Sequence, residues 1–148
     1  MERYLVNPPE LKDAQAIGYN HAIVANGEFA MAGQVAMDAE GEIVGDDIRT
    51  QAEKAYENVG ILLEAVGKDF LDVTKVTTHI VDPATNYFDG YKDVYWETFS
   101  EPYPCHTVLG AHQLAHEEYL VEIEVEVPFT REDVDESDPD GETVVRVP

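Results

Sequence analysis

The sequence contains one cysteine and few basic residues. Cys105 has no partner in its own chain, which excludes a framework of intrachain disulfide bonds and is typical of a reducing compartment. Nine lysine and arginine residues stand against 31 aspartate and glutamate residues, so the formal net charge is -22. Because such a surface repels phosphate backbones, we expect no nucleic-acid partner.

Long apolar runs are also missing. No stretch approaches the ~18 consecutive apolar residues that suggest a membrane-spanning helix. Residues 1–5 show neither the basic region nor the apolar run of a signal peptide. We therefore expect a cytoplasmic protein without a membrane partner. The acidic residues are spread over the whole chain, and molar salt would screen their mutual repulsion, which favours a halophilic protein over an acidic mesophilic one.

The hydrophobic pattern predicts one α+β domain. Alternation of apolar and polar residues indicates strands, and apolar residues three or four positions apart indicate helices. The predicted elements are a hairpin of strands at 21–25 and 29–32 around Asn26-Gly27, a helix at 48–66, a strand at 75–81, a helix from about residue 87 with the apolar stripe Phe88, Tyr91, Tyr95 and Phe99, and strands at 105–111 and 119–127. This order, ββαβαββ, is typical of two helices packed on one face of a mostly antiparallel sheet.

An acidic segment follows this domain. Residues 130–142 contain almost no apolar side chains, so we divide the chain into a domain at 1–129 and an acidic C-terminal extension at 130–148. Within the extension, the apolar residues of 143–147 could add an edge strand to a sheet, either in the same chain or in a neighbouring subunit.

The last predicted strand of the domain has one apolar and one acidic face. Its apolar residues Tyr119, Val121, Ile123, Val125 and Val127 alternate with Glu122, Glu124 and Glu126. Unpaired carboxylates are costly to bury in apolar surroundings, so the acidic face must meet water, cations or a polar interface. We expect subunits to associate through the uncovered face of the sheet and to leave wet clefts between them.

An ordered set of short motifs over about residues 17–127 resembles the RidA (YjgF-like) family. The set consists of Gly18-Tyr19, Ala32-Gly33-Gln34, Gln51 with Asn58 on the first helix, Val73 before a Lys-Val-Thr-Thr strand, and Val121-Glu122-Ile123-Glu124. The resemblance implies a chorismate-mutase-like (RidA-like) α+β protomer. It also implies a homotrimer, a trimeric barrel with its sheets turned inward and ligand clefts between adjacent subunits.

The resemblance also implies an activity and a set of site residues. Active members hydrolyse reactive enamines and imines to 2-oxo acids and ammonia, without a metal or cofactor of their own. The matching positions would make Glu122 the carboxylate that orients the attacking water and Tyr19 the cleft tyrosine, with Gly33 and Val108 among the substrate-binding positions. Partial burial among other acidic groups should raise the pKa of Glu122. The alternative is that Glu122 belongs to a solvated strand face.

Two positions depart from the family pattern. At Pro104-Cys105-His106-Thr107, His106 stands where active members supply the arginine that holds the substrate carboxylate. Imidazole lacks the permanent charge and bidentate fork of a guanidinium, although surrounding acid should raise the pKa of His106. Lys92 stands where the family usually has asparagine. We interpret Lys92 and His106 as a displaced anion-binding pair, the alternative being that the Lys92 stem lies along aromatic rings with its ammonium in solvent.

Metal and thiol chemistry have weaker support. Cys105, His106, His112 and His116 fall within twelve residues, but Cys105 and His106 would point to opposite faces of a strand. We therefore expect no metal site, a buried apolar role for Cys105, and structural roles for His21 and His79.

Three functions remain open from the sequence. The first is an enamine or imine deaminase with altered substrate choice, whose small-molecule partner is an imine or enamine substrate or a 2-oxo acid. The second is a non-catalytic ligand-binding or chaperone-like trimer. The third, RNA cleavage, is an activity attached to some relatives, and the net charge argues against it.

Overall fold

The computed structural model describes residues 2–129 and 143–148. The strands are β1 (Arg3–Val6), β2 (Ala22–Ala25), β3 (Glu28–Met31), β4 (Lys75–Val81), β5 (Cys105–Ala111), β6 (Val121–Glu126) and β7 (Val144–Val147). The helices are α1 (Ile48–Ala65), α2 (Pro83–Asn86) and α3 (Lys92–Thr98), with a π-helical turn (Tyr87–Tyr91) that joins α2 to α3 and 3-10 turns at Gln15–Ile17 and Phe70–Asp72. No helix in these residues is long and apolar enough to cross a membrane.

The strands form two sheets, and the predicted α+β class is confirmed. One sheet has the order β3-β2-β1-β7 and is antiparallel throughout. The other has the order β5-β4-β6, in which β4 pairs parallel with β5 and antiparallel with β6. Gln34 and Ile123 exchange backbone hydrogen bonds of 2.8 and 2.9 Å, so the chain after β3 continues onto the edge of the second sheet.

The first sheet contains a strand that the sequence pattern did not reveal. β1 spans four residues before Asn7 and two prolines, which is too short for a clear alternation of apolar and polar positions. It pairs with β2 on one side and β7 on the other. The C-terminal edge strand was correctly predicted, and its partner is in the same chain, not in a neighbouring subunit.

The second helical segment begins at Pro83, four residues earlier than predicted. Pro83 takes the first position of the helix, which suits proline because its missing N–H would be unpaired there in any case. The π-helical turn also shifts the phase of the helix. Tyr91, Tyr95 and Phe99 are buried as predicted, whereas the prediction for Phe88 was wrong, since this residue is 65% exposed.

The core lies between these helices and the second sheet. Val76, Thr78 and Ile80 of β4 face the helices. The residues that pair with these three on β5 and β6 face the helices as well. The opposite, open face of this sheet carries the intervening residues: Lys75, Thr77 and His79 of β4, Cys105, Thr107 and Leu109 of β5, and Glu122, Glu124 and Glu126 of β6. The prediction that Cys105 is buried was wrong, because it begins an edge strand with its side chain on this open face.

Candidate active site

Glu122 lies against the backbone of Gly33. A Cβ atom built on Gly33 would stand 2.7 Å from Glu122 Cγ and 2.9 Å from its Cδ, so only glycine leaves room for the carboxylate. The backbone hydrogen bonds between Gln34 and Ile123 fix this close approach, because Gln34 follows Gly33 and Ile123 follows Glu122 in the chain. The structure therefore brings together two of the residues that the sequence assigned to the site.

The surroundings of Glu122 favour its protonated form. Partial burial raises the pKa of Glu122, as predicted, with an opposing effect from His79 and a further increase from Glu124. His79 is the register partner of Glu122 on β4, and its Nε2 lies 3.8 Å from Glu124 Oε1. A carboxylate with a raised pKa exchanges protons more readily near neutral pH. Sequence reasoning did not place His79 beside this group, because strand pairing cannot be read from one strand alone.

Tyr119 lies close to this carboxylate, and Tyr19 lies close to Tyr119. The pKa of Tyr119 is raised, first by burial and then by the proximity of Tyr19 and Glu122. Tyr19 is 42% exposed, and its ring meets the His21 ring edge-on with centroids 5.8 Å apart. Sequence reasoning assigned Tyr119 only to the apolar face of its strand. Its phenol is a further polar group near the site.

His21 has the structural role that was predicted for it. Its Nε2 donates to the backbone oxygen of Lys12 at 2.7 Å, so its Nδ1 accepts from Gln34 Nε2 at 3.3 Å. Both ring nitrogens are therefore occupied in a buried setting. This contact ties the segment before β2 to the segment that carries Gly33.

His106 points toward the helices and not toward the open face. Its Nε2 lies 2.9 Å from the Tyr91 hydroxyl and 3.2 Å from Thr78 Oγ1, and its ring stacks on Tyr95 at 4.1 Å with planes 6° apart. The Tyr91 hydroxyl also lies 2.7 Å from the Tyr56 hydroxyl. We refer to these five residues as the His106 cluster.

The expected increase in the His106 pKa is wrong. Burial lowers the pKa of this imidazole, because its neighbours are phenols and a threonine hydroxyl and not carboxylates. A neutral ring accepts a hydrogen bond from Tyr91 or Thr78 through an unprotonated Nε2. The position therefore provides no permanent cation.

Lys92 and Val108 have separate surroundings. Lys92 Nζ lies 5.7 Å from the centroid of the Phe88 ring, which corresponds to the alternative in which the lysine stem follows an aromatic surface. Among the described residues, no contact joins Lys92 to His106. Val108 is the register partner of Thr78 and packs against the core.

A metal ion has no evident ligands here. Within residues 2–129 and 143–148, no group of three or more histidine, cysteine, aspartate or glutamate side chains is arranged to hold one. Cys105 and His106 lie on opposite faces of β5, as their neighbouring positions require.

Comparison with known proteins identifies the family of this chain. The profile of the family described as Endoribonuclease L-PSP matches residues 11–128. A RutC family protein of Pyrococcus horikoshii is 37% identical over 107 residues, which cover 72% of this chain and 82% of the relative. The 2-iminobutanoate/2-iminopropanoate deaminase of Bos taurus is 34% identical over 106 residues, or 70% and 74% of the two chains.

Solved structures agree with these matches. The crystal structure of RidA from an Antarctic Psychrobacter bacterium aligns with a TM-score of 0.74 and 25% identity over 84% of this chain and 98% of that one. The chain therefore belongs to the Endoribonuclease L-PSP family, the RidA or YjgF family whose motifs its sequence resembles. The chorismate-mutase-like fold expected from that resemblance is confirmed.

Proposed function

We propose that this protein hydrolyses small reactive imines or enamines to 2-oxo acids and ammonia, with Glu122 as the proton acceptor of the attacking water. The position of the Glu122 carboxylate against Gly33 carries the proposal. Relatives named as 2-iminobutanoate/2-iminopropanoate deaminases support the substrate class. The net charge of -22 opposes RNA as a substrate.

The proposed reaction begins with addition of water to the imine carbon. Glu122 takes one proton from the water while the water oxygen bonds to carbon and the C=N pair of electrons moves to nitrogen, which takes a proton from solvent. Glu122 then gives its proton to the nitrogen of the tetrahedral adduct. The C–N bond breaks and ammonia leaves while the hydroxyl proton of the adduct returns to solvent and the carbonyl forms, so protons and electrons balance without a cofactor. Tyr19 orients the substrate, and the backbones of Gly33 and Val108 line the cleft.

We further propose that substrate choice differs from that of relatives with an arginine at the position of His106. The inward direction of the imidazole and its lowered pKa support this, since neither suits a fixed carboxylate clamp. The anion-binding pair of Lys92 and His106 stays a prediction from the sequence, which no contact among the described residues supports. Separate His106→Ala and Lys92→Ala variants test them, because unchanged binding of 2-oxo acids by both would exclude the pair.

We also propose a homotrimer that associates through the open face of the second sheet. This face carries the exposed side chains of Cys105 and Leu109 as well as the partly buried carboxylates of Glu122 and Glu124. Such a mixture favours an interface that contains both apolar contacts and water. Light scattering at high salt measures the mass, and a monomer with full activity would contradict this assembly.

The decisive experiment measures ammonia release from freshly generated 2-aminoacrylate. We expect an increase over the spontaneous rate at high salt, and loss of that increase in Glu122→Gln. Glu126→Gln, on the exposed end of the same strand face, is the matched control and should remain active. An intact oligomer that binds 2-oxo acids without accelerating the reaction would instead support the non-catalytic ligand-binding function. The inward His106 is the observation that favours that second candidate.

A further inference from the structure

A small cavity lies behind the wall of the candidate active site. It measures about 40 Å³, and its lining includes Tyr19 and Gly33 together with Lys12, His21, Gln34 and Asn58. A water molecule needs roughly 10–15 Å³ of such space, so the cavity has room for one or a few molecules of that size. Its enclosed space is smaller than a 2-oxo acid.

Asn58 lines this cavity and carries an unpaired acceptor. The residue is 2% exposed, and its Nδ2 donates to the backbone oxygens of Val35 at 3.0 Å and Met37 at 2.9 Å. Because both bonds require amide protons, the orientation of the side-chain amide is fixed. Its Oδ1 is buried and has no donor in the part of the chain that the structure describes. A buried acceptor left in this state costs about 1–3 kcal/mol.

Gln51 shows what a complete arrangement looks like on the same helix. It lies seven residues before Asn58, on the same face of α1, and is equally buried. Its Nε2 donates to Gly45 O at 3.1 Å and Glu118 O at 2.8 Å, and its Oε1 accepts from Leu120 N at 2.8 Å. The two side chains differ in one respect, namely that the protein supplies a donor for the carbonyl of Gln51 and none for that of Asn58.

None of the described polar neighbours in the cavity, Lys12 and Tyr19 included, donates to Asn58 Oδ1. The His21 ring is occupied by Lys12 O and Gln34, and Gln34 Nε2 donates to Ala32 O at 3.0 Å as well as contacting His21. No described residue that lines the cavity is acidic, and Lys12 lines it, so a cation is disfavoured. The remaining ligand class is a small neutral hydrogen-bond donor.

We propose that this cavity is a binding site for a water-sized neutral donor, either water or ammonia, held by Asn58 Oδ1. Water is available in any solution, whereas ammonia is the product that the proposed reaction would release beside Tyr19 and Gly33. The site itself does not depend on that reaction, because occupancy can be measured without turnover.

Nuclear magnetic resonance of the full chain tests the proposal. We expect a rotating-frame cross-peak of dipolar sign between water and the side-chain amide protons of Asn58, which indicates a long-lived bound molecule. The amide of Gln51 is the internal control and should show none. No cross-peak at Asn58, or equal cross-peaks at both residues, would overturn the proposal.

A second measurement identifies the molecule. The spectrum is recorded at alkaline pH with ammonium chloride and, as a matched control, with sodium chloride at the same concentration. A change in the chemical shifts of the Asn58 side-chain amide only with ammonium assigns ammonia as a competing ligand, and unchanged shifts assign water alone. Absence of deaminase activity would leave both results intact, so failure of the proposed function is distinguishable from failure of this site.

Discussion

At the scale of single residues, Glu122 combines a chemical role with a cost in stability. Its folded-state pKa lies above the ordinary value of 4.5, so folding takes up a proton over the pH range between the two values. Its contribution to stability is fully present below pH 4.5 and is lost as the pH rises through the folded pKa. We therefore expect Glu122→Gln to gain stability relative to the wild type as the pH rises, while deaminase activity falls by about 10²–10⁴-fold.

Urea denaturation of both proteins at pH 4 and pH 8 measures this stability difference. A difference that is constant over this range would contradict the raised pKa. The activity assay should also show the wild-type rate increasing with pH as Glu122 loses its proton.

Gly33 is the second residue whose side chain decides the site. A methyl group at this position would overlap Glu122 Cγ at 2.7 Å, so the carboxylate or the strand must move. We expect Gly33→Ala to lower the deamination rate at least about tenfold, because a displacement near 1 Å disturbs the alignment of water and substrate. The control is Ala30→Gly, at an exposed position of β3. A change at Gly67 would be unsuitable, because the positive φ of that residue strains any side chain. Full activity of Gly33→Ala would contradict the close approach.

His106 gives the opposite pH dependence from Glu122. Its folded pKa lies below the ordinary 6.5, so the unfolded chain binds the proton first as the pH falls. The stability that its neutral ring provides is complete above pH 6.5 and is lost between pH 6.5 and the folded pKa. We expect His106→Phe to keep the stacking on Tyr95 and to lose stability less steeply than the wild type from pH 7.5 to pH 5. Parallel urea denaturation curves of both proteins measure this, and equal slopes would contradict the burial of the imidazole.

At the scale of elements, β7 is a four-residue strand with one buried and one exposed side. Val144 is 8% exposed and joins the core, whereas its neighbour Val145 is 46% exposed. We expect Val144→Ala to lower the free energy of unfolding by about 1–2 kcal/mol, from the loss of two buried methyl groups. Val145→Ala should change it by less than about 0.5 kcal/mol. Equal effects in urea denaturation would contradict the pairing of β7 with β1.

The elements that could be predicted are those with a long or regular pattern. The alternation of β6 and the spacing of α1 identify them without a structure. Phe88 was misplaced because a π-helical turn changes the helix phase, and β1 was missed because four residues carry little pattern. In the site, the motif order indicated Glu122 and Gly33. The direction of His106 could not be predicted, because it depends on Thr78 of β4 and on Tyr91 and Tyr95 of the second helical segment.

At the scale of the whole molecule, the excess of 22 negative charges should make stability depend on salt. At 0.1 M salt the Debye length is about 10 Å, so neighbouring surface carboxylates repel each other, whereas at 1 M it is about 3 Å. We expect the free energy of unfolding and the oligomeric mass to increase between 0.1 and 2 M sodium chloride. Thermal unfolding and light scattering measure the two quantities, with sucrose at equal osmolality as the control for solvent exclusion. An equal gain in sucrose, or no gain in salt, would contradict a halophilic surface and leave the acidic composition without that explanation.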